Sequence, residues 1–81
     1  MPIEIRNQLL MPQAGMRFTY ADRAGNVTAI AIKNVTESHV DYVYTDTTGK
    51  SSDSRTKLGF WRQFVRTRDD MYKITSFSYS R

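Results

Sequence analysis

Apolar and polar residues alternate over three stretches in the first half of the chain. Met16, Phe18 and Tyr20 share one side of the run that ends at Ala21. Thr28, Ile30 and Ile32 share a side within residues 27–35. Val40, Tyr42 and Tyr44 share one within residues 40–46, with Asp41 and Thr45 opposite. A period of two carried by β-branched and aromatic residues marks strands with one buried face. Asp22-Arg23-Ala24-Gly25-Asn26 separates the first two runs and reads as a hairpin turn, because Gly25 and Asn26 accept the positive φ such turns require. Thr36-Glu37-Ser38-His39 is a second short turn. Short turns between successive strands make an antiparallel meander the economical topology. Thr47 to Ser54 is polar throughout and reads as a longer loop.

The period changes after Leu58. Phe60, Trp61, Phe64 and Val65 form the stripe of a short helix, and Arg62 and Arg66, four apart, share another face of it. Asp69-Asp70 closes this element. From Tyr72 to Tyr79 the chain alternates again, with Thr75, Phe77 and Tyr79 on one side, and reads as a final strand. Residues 3–11 fit a short helix or an edge strand, and Pro12 ends either. The shared faces place Phe18, Ile30, Ile32, Val40, Tyr42, Phe60 and Phe64 in one core; Trp61 fits either that core or a binding anchor. Several short strands and one short helix predict an all-β fold, a small SH3-like antiparallel barrel. It forms a single domain: residues 1–14 an N-terminal extension, 15–66 the barrel, 67–81 the C-terminal strand.

Residues 15–66 carry a resemblance. Gly15-Met16-Arg17-Phe18-Thr19-Tyr20 is followed by the Gly25 turn, an Ile-rich strand ending near Val35, Val40-Asp41-Tyr42, a Gly49 loop and the Phe60…Phe64 helix. The series resembles short uncharacterised proteins of tailed phages and enterobacterial prophages with SH3-like barrels. The resemblance implies that fold and a phage or prophage origin. It implies no activity and no site residues.

Charge adds the functional expectation. The net charge is +4, but residues 1–53 carry five basic and six acidic side chains, and residues 54–81 carry seven and two. Between Arg55 and Arg68 there are five bases and no acid, interleaved with Phe60, Trp61 and Phe64. Bases for phosphates and aromatics for stacking are what nucleic-acid binders combine, and such a patch equally suits an acidic protein surface. The candidate contact residues are therefore Arg55, Lys57, Trp61, Arg62, Arg66 and Arg68. Two partners follow. One is a host protein on which a phage-type protein docks, for example a defence nuclease that it inhibits. The other is nucleic acid, bound as an accessory factor through the basic helix face.

Catalysis finds little support in the sequence. There is no cysteine, and His39 is the sole histidine, so no set of zinc ligands stands at suitable spacing. As a general base His39 lacks a nucleophile and an orienting group. Gly49-Lys50-Ser51 suggests a phosphate loop, but the glycine that motif needs five positions earlier is Tyr44. No catalytic residue, metal, cofactor or small-molecule substrate is expected. The N-terminal residues lack the basic and apolar regions of a signal peptide. No apolar run approaches the roughly 20 residues of a membrane span. The expected location is the cytoplasm of a bacterial host cell.

Overall fold

A computed structural model describes the backbone of residues 3–71 and 73–80 and the side chains of residues 5–66 and 74–80. Helix α1 (Ile3–Leu10) is followed by strands β1 (Met16–Ala21), β2 (Val27–Val35), β3 (His39–Thr45) and β4 (Ser51–Lys57), helix α2 (Leu58–Met71) and strand β5 (Lys73–Tyr79). The five strands form one antiparallel sheet in the order β4-β3-β2-β1-β5. The all-β class and the meander follow the alternating pattern; the return of the last strand to β1 is set by the crossover of α2 and is not encoded in that pattern. The sheet stays open: β4 and β5 are its two edges, and α2 connects them across one face.

That face holds the core. Met16, Phe18 and Tyr20 of β1, Ile30 and Ile32 of β2 and Val40 of β3 are buried with Leu9 of α1 and Trp61 and Val65 of α2. Tyr42, Tyr44, Phe64 and Phe77 pack around them. Trp61 sits at the centre, its ring 6.1 Å from Phe18 and 5.5 Å from Tyr42. The helix begins at Leu58, so its inward stripe is Leu58, Trp61, Phe64 and Val65. Phe60 does not join the core as expected: one step round from Trp61, it remains 62% exposed.

Three further expectations are corrected. The polar stretch is a tight loop followed by β4, whose alternation is Ser52, Ser54 and Thr56 against Asp53, Arg55 and Lys57. With no apolar member it leaves no hydrophobic period to read. The helix runs through the Asp69-Asp70 pair to Met71. In β5 the register against β1 shifts between Thr19 and Tyr20. Ile74 therefore packs on the core with Phe77 and Tyr79, while exposed Thr75 joins Ser76 at the hydroxyl of Thr19, 2.6 Å from each. The N-terminal segment takes the helical of its two possible forms.

The β1–β2 and β3–β4 loops are built alike. In each, an aspartate accepts backbone amides two and four residues ahead: Asp22 from Ala24 and Asn26, Asp46 from Thr48 and Lys50. A glycine three residues on, Gly25 or Gly49, supplies the positive φ, which costs glycine nothing. Gly15 answers a different need. A Cβ there would lie 2.0 Å from the Ser80 carbonyl oxygen, where β1 enters between β2 and β5.

Candidate functional site

The segment from Arg55 to Arg68 is divided by the fold. Arg55 and Lys57 stand on β4 with side chains on the sheet face away from α2, opposite Asp41 and His39 of β3. Arg62 and Arg66 lie on α2, on the other side of the sheet, and both are exposed. The side chain of Arg68 lies outside the described residues. The expected contact set is thus two groups on opposite faces, because a strand that turns into a helix at Leu58 sends its alternate side chains and the helix to different sides.

Two members on α2 have partners in α1. Trp61 is 1% exposed and its indole N–H donates to the Leu9 carbonyl at 2.7 Å. This corrects its place among the surface contacts: it is the core tryptophan. Next to it, Arg62 Nε donates to the Leu10 carbonyl at 3.1 Å. Neighbouring residues of α2 thereby satisfy carbonyls in the last turn of α1, which have no partner within their own helix. A cation there also suits the negative end of the helix dipole. Arg62 keeps an exposed side chain, but its guanidinium is already engaged.

Among the described residues, no element packs on the sheet face opposite the helices. Ala29, Ala31 and Val43 occupy its middle, with Thr19 and Thr45 beside them. These small side chains leave a depression of about 360 Å3. A second depression, about 480 Å3, adjoins charged residues of β2, β3 and β4. There Arg55 grips Asp41, with Nε to Oδ1 at 2.6 Å and an Nη to Oδ2 at 3.3 Å. Lys33 Nζ lies 3.0 Å from Asp53. The Arg55 hydrogen bond holds the Asp41 carboxyl below its usual range, and Asp41 raises Arg55 in turn. Sequence reading found Arg55 but not its setting. Cross-strand neighbours become visible only once β4 is known to be a strand.

The residues considered for chemistry are in ordinary places. His39 Nδ1 lies 2.7 Å from the Ser38 hydroxyl in the β2–β3 turn. Gly49-Lys50-Ser51 is the end of a hairpin loop running into a strand, not the start of a helix. Among the described residues, no three His, Asp or Glu side chains come together as a metal site would need, and no helix is long and apolar enough to cross a membrane. No protein-family model, curated protein or solved structure matches the chain.

Proposed function

We propose that the protein is a non-catalytic binding module of the phage or prophage type that docks on a host protein in the bacterial cytoplasm, with the bare sheet face as the contact surface. The observation that carries this reading is the make-up of that face: small and apolar at Ala29, Ala31 and Val43, charged at Arg17, Lys33, Asp53 and Arg55 around them. Protein interfaces have this anatomy, an apolar centre inside a polar rim. A host defence nuclease is the first target to try. Nucleic acid gains less support, because the bases meant for phosphates stand on two sides of the sheet and Arg62 already holds the Leu10 carbonyl.

Capture from nuclease-treated bacterial lysate tests the reading, comparing the wild-type chain with Ala31→Arg and Val43→Glu. A host protein retained by the wild type and lost with both variants supports it. Retention by the variants rejects this face, and disappearance of all bound material on nuclease treatment turns the assignment to nucleic acid.

A further inference from the structure

Strand β4 is a bare edge seven residues long, Ser51–Lys57, paired to β3 without a register shift. Its outward-facing backbone groups are identifiable. The Asp46 amide donates to the Lys50 carbonyl and the Leu58 amide to the Ser38 carbonyl. Antiparallel hydrogen-bonded pairs alternate along a ladder, so the even-numbered residues of β4 turn their amides and carbonyls to β3. Ser51, Asp53, Arg55 and Lys57 turn theirs to the free edge. An unpaired edge of this kind is a template for another strand.

The sequence of the strand selects which one. When a second β4 is laid antiparallel with Ser54 facing Ser54, all seven residues overlap. Asp53 then stands opposite Arg55, Arg55 opposite Asp53, Ser51 opposite Lys57 and Ser52 opposite Thr56. The outward-facing residues meet each other in this register, as the hydrogen bonding demands. Neighbouring registers that also satisfy the bonding set Asp53 against Asp53 or Arg55 against Arg55. Charged edge residues commonly oppose pairing; here they disfavour both neighbouring registers relative to the one centred on Ser54. The side chains are available, since Asp53 and Arg55 are 76% and 67% exposed despite their bonds to Lys33 and Asp41. In the pair these bonds extend into an alternating row, Lys33–Asp53–Arg55–Asp41, that crosses from one copy to the other. α2 leaves β4 at Leu58 and leads across the sheet to β5 at the other edge. Phe60, exposed in the single chain, lines a small cleft with Thr56, and the second copy brings Ser52 opposite Thr56.

We infer that two copies of this chain associate through their β4 edges, centred on Ser54, into a two-fold symmetric dimer with one continuous sheet. Such an interface is isologous and closes on itself. It is centred on the edge, and it shares Asp53 and Arg55 with the rim of the proposed docking surface; Ala31 and Val43 lie off the edge on β2 and β3, so their variants keep the two tests distinct.

Sedimentation and cysteine cross-linking test it. The wild-type mass should double with rising concentration. Asp53→Arg and Arg55→Asp each place like charges across the edge and should each remain monomeric, folded by circular dichroism. Mixed, they face Arg with Asp at every position and should dimerise with each other. The chain has no cysteine of its own, and facing residues of a non-hydrogen-bonded pair lie about 4.5 Å apart at Cα, within disulfide range. Oxidised Ser54→Cys should therefore cross-link to itself, and Thr56→Cys only when mixed with Ser52→Cys. A wild-type chain that stays monomeric at the highest attainable concentration overturns the inference. So do charge variants that associate like the wild type, or Ser54→Cys and Thr56→Cys that cross-link equally well alone.

Discussion

Trp61 combines two roles that are usually given to different side chains. Its ring fills the centre of the core between Phe18, Tyr42 and Phe64, and its N–H ties α2 to the last turn of α1. Trp61→Phe keeps an aromatic ring and removes the donor, leaving the Leu9 carbonyl without its partner. The expected cost is about 1–3 kcal/mol, the penalty for an unsatisfied buried group, plus the smaller ring's lost contacts; urea unfolding followed by circular dichroism measures it. Neighbouring Phe60 is one position away and largely exposed, while Trp61 is buried. Both are large and aromatic, so their types do not say which points inward. That depends on where the helix begins, and Leu58-Gly59 offers no capping residue to mark the start. Ile30, Ile32 and Val40 were legible because a strand's period of two admits no such ambiguity.

The turns and strands carry their own consequences. Asp22 and Asp46 are both held below the usual carboxylate range, Asp22 chiefly by the Asn26 amide and Asp46 chiefly by the Thr48 hydroxyl. A carboxyl with a depressed pKa in the folded state contributes stability above its unfolded pKa. That contribution is lost as pH falls through the folded value. The melting temperature should drop on acidification below about pH 4. In the double variant Asp22→Asn, Asp46→Asn the drop should be smaller, because the amides still accept hydrogen bonds but no longer titrate; thermal scans across the acid range decide it. The first loop was readable from Gly25-Asn26. The second has the same Asp-x-x-Gly frame, but Ser51 to Lys57 contains no apolar residue, and β4 was hidden behind it. Its strand form is fixed from outside, by the ladder with β3. Helix α1 depends on tertiary support in a similar way. Eight residues are too few for a helix that stands alone in water, so Leu9 in the core and the bonds from Trp61 and Arg62 hold it. Deleting residues 1–11 should lower the melting temperature and, by uncovering the only tryptophan, move its fluorescence to longer wavelength. An unchanged emission maximum would show that α1 does not shield it.

For the molecule as a whole, strand order decides more than strand content. Alternation identified β1, β2, β3 and β5, yet the open sheet and the division of basic residues between two faces were not legible. Curvature and the path of a crossover are set by how elements pack, and no local period encodes them. The path of α2 has an outcome in time as well as in space. β1 lies between β2 and β5, and its contacts with β5 join residues 56 positions apart, as between Thr19 and Thr75. Contacts so distant along the chain form late. During synthesis the meander β1 to β4 can assemble first, while the outer edge of β1, beside Phe18 and Tyr20, waits for Lys73–Tyr79 to leave the ribosome. Nascent or prematurely terminated chains therefore expose an apolar edge that the finished protein conceals, and they are the forms that chaperones and proteases would meet.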